Sequence, residues 1–103
     1  MRALHWVALD KRRPALILTR PVARKFLQRV TVAPVTSTIR GLAIEVPVGP
    51  IHGLDHDSVI NFDNIITVHQ RHVGAYIGHL GEDEDRLVLR AIQEAFDLLP
   101  PGF

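Results

Sequence analysis

Two apolar runs, each with polar groups at one end, are the strongest constraint on how this chain folds. The first, residues 13–18, starts at Arg13 and continues Pro-Ala-Leu-Ile-Leu; proline suits the start of a strand. The second is Val-Thr-Val-Ala-Pro-Val, residues 30–35. The polar groups that follow it are Thr36, Ser37, Thr38 and Arg40. If the two strands lie side by side, a cation and hydroxyls meet at one end of a sheet, where an arginine fork suits phosphoryl oxygens.

Charge is segregated along the chain, although the net charge is only +1. Residues 1–40 contain nine Lys or Arg and one acid, Asp10, whereas residues 41–103 contain three Lys or Arg and ten acids. Such segregation favours a basic face for a polyanion beside an acidic remainder. The alternative is that the two halves interleave in space and their charges only solvate the surface.

Length and composition restrict the class of protein. With 103 residues, 47% of them hydrophobic, we expect a single domain over residues 1–103. The lack of cysteine excludes disulfides, thiolate nucleophiles and cysteine-based zinc sites. The N-terminus lacks the apolar core of a signal peptide, and no apolar run is long enough to span a membrane. We therefore expect a soluble, cytoplasmic protein with no membrane contact.

Apolar segments separated by turn residues predict an antiparallel sheet. The predicted strands are residues 4–9, 14–19, 29–36, 42–48, 58–62 and 73–80. Residues 21–28 are interpreted as a short helical turn or an irregular basic loop. Pro47 places its strand at a sheet edge or ends it early, and two glycines in 73–80 favour a bend or a close backbone approach.

The C-terminal segment predicts one helix. Four consecutive acids, residues 82–85, complement the helix dipole in its first turn. An apolar face at helical spacing follows, formed by Val88, Ala91, Ile92, Ala95, Phe96 and Leu99. Short strands and one helix predict a small α+β domain with a twisted or barrel-like antiparallel sheet.

Histidines and aromatic residues are further candidates for chemistry. The pairs His52/His56 and His69/His72 lie in predicted loops, and no Glu or Cys completes either set, so we expect no metal site. His5 is an alternative acid–base group. Trp6, Phe26 and Tyr76 are candidates for stacking on bases, but with only six aromatic residues in the chain Trp6 and Tyr76 are interpreted as core residues. The cations Arg20, Arg24, Lys25 and Arg29 surround Phe26, which suits either a groove that tracks a nucleic-acid backbone or a solvated loop.

Five segments match a known series of motifs in the same order. Residues 6–10 fit Trp-x-x-Leu-Asp, residues 13–18 fit Arg-Pro-x-hydrophobic, and residues 32–37 end in Pro-x-Thr-(Ser/Thr). Residues 57–67 fit a segment that usually ends Asp-Gln-x-Arg-Thr, and Ile77-Gly-His-Leu leads into the helix. With these motifs the chain resembles the MazF/PemK/Kid toxin family of type II toxin–antitoxin systems.

The resemblance implies an SH3-like barrel of the CcdB/PemK type with a C-terminal α-helix, assembled as a homodimer. It also implies a sequence-specific endoribonuclease that cuts single-stranded RNA without metal or cofactor. The implied products carry a 2′,3′-cyclic phosphate and a 5′-hydroxyl. A cognate, MazE-like antitoxin would bind through an extended acidic and hydrophobic tail in the groove that otherwise takes RNA.

The matching positions imply roles for three catalytic residues: Arg13 as the catalytic arginine, Thr36 as the catalytic hydroxyl and Asp63 as a general base. The expected RNA-binding residues are Lys11, Arg12, Ser37, Thr38, Arg40, Asn61 and Asn64. Structural alternatives exist for each catalytic residue. Arg13 could instead be a sheet-edge arginine paired with Asp10 or Asp63. The structural alternative for Thr36 is a Ser/Thr-rich strand end that closes a turn, and that for Asp63 is an Asx cap at a strand-to-turn junction.

The chain also departs from the family pattern at three places. Only Lys11-Arg12 links the first two strands, where many members carry a longer loop with a carboxylate. Asn61 stands in place of an arginine proposed as general acid, and Asn64 and Ile66 replace the customary Gln and Arg. Two other functions therefore stay open: a CcdB-like toxin that acts on a protein such as DNA gyrase, and a non-catalytic SH3-like RNA-binding module.

Overall fold

Seven β-strands form one curled antiparallel sheet in the computed structural model, which describes residues 2–98. The strands are β1 Arg2–Ala8, β2 Arg12–Ile17, β3 Arg29–Thr36, β4 Glu45–Val48, β5 Ser58–Asn61, β6 Ile66–His69 and β7 Val73–Leu80. The helices are α1 Pro21–Arg24 and α2 Asp85–Ala95, with short 3-10 turns at Pro50–His52, Phe62–Asn64, Gln70–His72 and Glu82–Glu84. A half-barrel with a terminal helix confirms the predicted α+β class.

β3 organises the sheet, whose strand order is β4-β5-β3-β2-β1-β7. Its first half pairs with β6 and its last residues pair with β5, so the strand links two parts of the sheet. On its other side β2 pairs with it, Ala15 lying opposite Pro34. The predicted side-by-side arrangement of the two apolar runs is therefore confirmed. Continuing this register by two residues brings Arg13 opposite Thr36.

Both faces of the sheet are covered because it curls. One face packs on α2 through a cluster that includes Leu4, Leu16, Ile60, Phe62, Leu80, Val88 and Ala91. The other face buries a smaller cluster, Val7, Ala15, Ile17, Val30 and Val32, under Leu9, Val68 and Val73. Successive residues of β2 thus point to different clusters, Ala15 and Ile17 to the smaller one and Leu16 to the larger one, as the two-residue period of a strand requires.

The element boundaries differ from the sequence prediction at several places. The strands predicted at 29–36 and 73–80 have these bounds, and Pro47 lies in β4, at the sheet edge. The strand predicted from residue 42 begins only at Glu45, and β6 was not predicted.

The helix prediction also needs correction at its C-terminal end. Val88 and Ala91 are buried as expected, but Phe96 is 57% exposed because the helix ends at Ala95. Leu99 lies outside the described residues. Within residues 2–98, no helix is long and apolar enough to cross a membrane.

A buried polar contact joins the 3-10 turn Pro50–His52 to the 3-10 turn Glu82–Glu84, which leads into α2. The ring of His52 is 6% exposed; its Nδ1 accepts from the Gly49 amide, so Nε2–H donates to Glu84 Oε2 at 2.9 Å. Gly78 lets β7 approach this turn, since a Cβ there would lie 1.9 Å from the His52 carbonyl oxygen. The close backbone approach expected from the glycines of 73–80 is confirmed.

The carboxylate of Glu84 makes this contact sensitive to acid. Burial opposes its ionisation, yet the Gly81 amide, His52 and the charge of His79 together hold the pKa of Glu84 below its ordinary value of 4.5. A carboxylate whose folded-state pKa is depressed contributes stability above its unfolded pKa and loses it as pH falls through the folded value.

We predict that Glu84→Gln lowers the free energy of unfolding at neutral pH by about 1–2 kcal/mol, the order of one charged hydrogen bond. The difference from wild type should shrink as pH falls below 4.5. Urea unfolding at neutral and acidic pH measures both effects, with the exposed Glu94→Gln as the matched control. A deficit that is the same at both pH values would contradict the assignment.

Candidate active site

Two open clefts meet at one end of the β2–β3 pair. Each has a volume of about 460–470 Å³. Three residues line both clefts: Arg13 of β2, and Val35 and Thr36 of β3. The arginine and the strand-end hydroxyl that the sequence predicted to meet therefore stand between two concave surfaces.

Asp10 holds Arg13 in place across the turn between β1 and β2. Arg13 Nε donates to Asp10 Oδ1 at 2.9 Å and Nη2 donates to Oδ2 at 3.2 Å. These hydrogen bonds from Arg13 lower the pKa of Asp10 to about 2, and the same contact raises the pKa of Arg13. The pairing with Asp10 that was one alternative for Arg13 is present, but it leaves Nη1 unoccupied within residues 2–98. Arg13 is thus a fixed cation that still lines both clefts.

The hydroxyl of Thr36 is oriented by the chain that follows it. Its Oγ1 accepts from the Thr38 amide at 3.2 Å, so the hydroxyl hydrogen is free to donate elsewhere. Thr38 and Arg40 line the first cleft, and Ser37 lines the second. The strand end therefore divides its polar groups between the two clefts.

Glu45 supports the loop of residues 37–44. Its carboxylate accepts from the Arg40 amide at 3.2 Å and from the Leu42 amide at 3.1 Å. A carboxylate that accepts backbone N–H groups is a strong, charge-assisted acceptor. Glu45 thereby holds the backbone that carries Arg40 into the first cleft.

The opposite wall of the first cleft comes from the turn after β5. Asn61 and Asn64, two of the residues expected to bind RNA, both line this cleft. Asn61 Oδ1 accepts from the Asp63 amide at 2.8 Å, which closes the turn. Asp63 itself is exposed on the turn and is not among the residues that line either cleft.

Cations and aromatic rings line the second cleft. Lys11 and Arg12 lie there, and the Arg12 guanidinium stacks 4.8 Å from the centroid of the Trp6 ring. Tyr76 lies in the same cleft and is 57% exposed. The interpretation of Trp6 and Tyr76 as core residues is wrong, because the open edge at β7 leaves both rings in the cleft. His5 instead faces Gly74, whose carbonyl oxygen is 2.9 Å from its Nδ1.

Several cleft residues were not predicted as site residues. Asp10 and Glu45 line the first cleft, and Asp55, His56 and Ser58 line the second. For Asp10, the spacing of three residues to Arg13 could have indicated an ion pair at the site. A lone carboxylate in the apolar run Ile-Glu-Val-Pro-Val was the signal for Glu45. His56 was noticed only as half of a histidine pair, and no sequence pattern assigned residues 55–58 to this cleft, because only the folding of that loop beside β7 brings them there.

The histidine pairs are used in other ways. His52 is buried against Glu84, and His69 Nδ1 accepts from the Arg71 amide at 3.0 Å. Within residues 2–98, no group of three His, Cys, Asp or Glu side chains is arranged to hold a metal ion.

Sequence and structural comparisons agree with one another. A model of the family described as PemK-like, MazF-like toxin of type II toxin-antitoxin system matches residues 6–96. A Mycobacterium tuberculosis (strain CDC 1551 / Oshkosh) protein named Endoribonuclease MazF3 is 49% identical over 98 residues, 95% of this chain and 95% of that protein.

Solved structures show the same similarity. Mycobacterium tuberculosis toxin MazF-mt6 matches with a TM-score of 0.94 and 47% identity, covering 96% of this chain and 100% of that one. An endoribonuclease in complex with its cognate antitoxin, from a mycobacterial species, matches with a TM-score of 0.83 and 25% identity, covering 96% and 95%. The chain therefore belongs to the PemK-like, MazF-like toxin family of type II toxin–antitoxin systems.

Proposed function

We propose that this chain is an endoribonuclease toxin that cuts single-stranded RNA at specific sequences without a metal ion. The observation that carries the proposal is the placement of Arg13 and Thr36 where the two clefts meet. The name of its relative, Endoribonuclease MazF3, supports the same reaction. The proposed products are a 2′,3′-cyclic phosphate and a 5′-hydroxyl.

The reaction makes three demands on the site. The 2′-oxygen of the RNA forms a bond to phosphorus while the bond from phosphorus to the 5′-oxygen breaks. A base takes the proton of the 2′-hydroxyl, and an acid protonates the departing 5′-oxygen. Negative charge grows on the remaining phosphoryl oxygens, where fixed donors are most effective. Since the nucleophile belongs to the RNA, the enzyme forms no covalent bond.

Arg13 and Thr36 are the donors that we assign to the phosphoryl oxygens. Asp10 occupies the Nε and Nη2 atoms of Arg13, so the Nη1 edge of the fork is directed to the phosphate in this proposal. The Thr36 hydroxyl donates its hydrogen to the same phosphate, because its oxygen already accepts from the Thr38 amide. Both donors are positioned before the RNA binds, which lowers the cost of reorganisation.

The general base is Asp63 in this proposal. Asp10 is unsuited to that role, because a carboxylate with a pKa of about 2 is a weak base near neutral pH. Asp63 is exposed on the turn between Asn61 and Asn64, two residues of the first cleft. The pairing of the Asp63 amide with Asn61 leaves its own carboxylate free to act on the RNA.

The two clefts are proposed to hold the nucleotides on either side of the cut. In the first cleft, Asn61, Asn64 and Thr38 offer donors and acceptors to base edges, and Arg40 offers a cation to the backbone. In the second, Lys11, Arg12 and Ser37 contact phosphates, while the rings of Trp6 and Tyr76 stack on bases. Contacts to base edges in the first cleft would make cleavage sequence-specific.

Partners and location follow from the family. We propose that the chain acts as a homodimer in the cytoplasm, where RNA is available, and that it works as one domain over residues 1–103. A mycobacterial relative was solved in complex with its cognate antitoxin. By analogy, a MazE-like antitoxin with an acidic and hydrophobic tail would occupy the clefts and exclude RNA. A CcdB-like action on a protein target and a non-catalytic RNA-binding role would both leave RNA intact.

We expect purified protein to cut a long single-stranded RNA in the presence of EDTA, because the proposed chemistry uses only side chains. Mapping the cut sites and the end groups tests the proposal. Discrete cuts with a cyclic phosphate and a 5′-hydroxyl are the expected result. RNA that stays intact with folded, antitoxin-free protein would overturn the endonuclease assignment.

We predict that Arg13→Ala and Thr36→Ala each lower kcat by roughly 10²–10³, the cost of losing one placed donor to a developing anion. Cleavage rates at saturating RNA measure the loss, and circular dichroism checks that each variant is folded. Arg90→Ala, on the exposed face of α2, is the matched control for the loss of one cation. Full activity in either folded variant would remove that residue from the mechanism.

Asp10→Asn tests the positioning of Arg13. The variant loses the charged acceptor pair but keeps its shape, so Arg13 is held less firmly and we expect kcat to fall about tenfold. Because the pKa of Asp10 is about 2, the wild-type pH–rate profile should show no titration of this group near neutral pH. If Asp10→Asn altered the shape of that profile, Asp10 would be the base and not a positioning residue.

A further inference from the structure

The acid that protonates the departing 5′-oxygen has to act from a particular side of the site. In phosphoryl transfer the attacking and leaving oxygens lie roughly in line, on opposite sides of phosphorus. Arg13 and Thr36 line both clefts and therefore lie between them. Asp63, the proposed base, lies on the turn whose neighbouring residues Asn61 and Asn64 line the first cleft. The acid is therefore expected in the second cleft.

The second cleft offers several ionisable groups, and their chemistry separates them. Six such side chains line it: Lys11, Arg12, Arg13, Asp55, His56 and Tyr76. As residue types, a guanidinium keeps its proton in proteins, and an ammonium or a phenol ordinarily releases one only near about pH 10. A carboxylate is ordinarily ionised at neutral pH and has no proton to give. An imidazole exchanges its proton between about pH 5 and 8, which suits a general acid.

His56 is the histidine of this cleft. All six histidines of the chain lie within residues 2–98, and of these His56 alone lines either cleft. Its side chain is exposed, and among the described residues its ring takes part in no hydrogen bond. His5, by contrast, is held at the Gly74 carbonyl, and His52 is buried against Glu84. The imidazole of His56 is thus available to a bound RNA.

The loop that carries His56 is anchored at both ends. Gly53 has a φ of +92°, and a Cβ there would clash with the Ile77 carbonyl oxygen, so the loop starts directly against β7. At the other end, the buried Ser58 donates from Oγ to the His56 carbonyl at 3.2 Å. Leu54 packs against the larger core cluster between these two points. The backbone of His56 is therefore held in place, as a positioned proton donor requires.

Two of the other ionisable side chains in the cleft have partners of their own. The Tyr76 hydroxyl lies 2.7 Å from His79 Nδ1 and shares a hydrogen bond with it. The Arg12 guanidinium stacks on the Trp6 ring. Neither group is as free as the His56 ring to follow the leaving oxygen.

We propose that His56 is the general acid of the cleavage reaction, an assignment that rests on the proposed ribonuclease function. A ring N–H of the protonated imidazole donates to the 5′-oxygen. As the bond from phosphorus to that oxygen breaks, the N–H bond breaks too, and the proton completes the 5′-hydroxyl. The ring is left neutral, while the carboxyl of Asp63 holds the proton from the 2′-hydroxyl. Exchange of one proton through water returns both groups to their starting states.

A leaving group that needs no acid tests this role. Sulfur in place of the 5′-oxygen departs as a thiolate without protonation, because a thiol is far more acidic than an alcohol. The probe is a short oligoribonucleotide that carries the cut site mapped in EDTA, with either oxygen or sulfur at that position. We expect His56→Gln to slow single-turnover cleavage of the oxygen substrate by about 10²-fold or more, the scale of general acid catalysis. The sulfur substrate should be cut at the wild-type rate.

Two further variants calibrate the experiment. His72→Gln is the matched control, because His72 is exposed on the turn Gln70–His72 and lines neither cleft; it should cut both substrates as the wild type does. Arg13→Ala should slow both substrates, since charge grows on the phosphoryl oxygens with either leaving group. Circular dichroism checks that each variant is folded.

The outcomes separate this assignment from the proposed function. Wild-type protein that leaves the oxygen substrate intact would refute the ribonuclease function, and the role of His56 with it. Unchanged cleavage by folded His56→Gln would overturn the acid assignment alone. Equal slowing of both substrates would also overturn it, because a base or a binding residue acts whichever group leaves. Slowing of the oxygen substrate alone supports His56 as the acid.

Discussion

The pairing of β2 with β3 is the constraint on which the rest of the structure depends. Their register sets Arg13 opposite Thr36 and at the same time sends Leu16 and Ala33 into the core that packs on α2. A shift of the pairing by one residue would turn every side chain of one strand to the opposite face of the sheet. The packing of the core therefore fixes the register that the site needs. Because β3 also pairs with β5 and β6, the same strand positions the turn that carries Asn61 and Asn64.

Electrostatics at the site follow from the shortness of the turn between β1 and β2. With only a few residues between the strands, Asp10 reaches back to Arg13 and holds two of its nitrogens. The contact keeps Asp10 ionised and therefore makes it a support for the cation and a poor proton acceptor. Glu45 has a comparable task on the other side of the cleft, where it holds the backbone of Arg40 and Leu42. The two cations of the first cleft, Arg13 and Arg40, are therefore positioned by carboxylates that lie close to them in the sequence, Asp10 and Glu45.

Prediction from the sequence succeeded where a local pattern was unambiguous. The apolar run located β3 with its observed bounds, and spacing located the buried face of α2 at Val88 and Ala91. The strand predicted at 14–19 was found two residues earlier, as β2 Arg12–Ile17. It failed for β6, whose four residues acquire strand structure only by pairing with Arg29–Val32. It also failed for Trp6 and Tyr76, since hydrophobic size indicates burial and the open β7 edge instead leaves both rings in the second cleft.

By itself, the sequence determined the fold class, the segregation of charge and the residue types needed for phosphate chemistry, because composition, periodicity and the Arg-Pro and Pro-x-Thr motifs are local properties of the chain. Only the tertiary structure decided which of those residues meet. It brought Arg13, Thr36, Asn61 and Arg40 to one cleft and left Asp63 exposed on a turn. Strand register and sheet curvature decide such proximities, and both arise from pairing between segments distant in sequence.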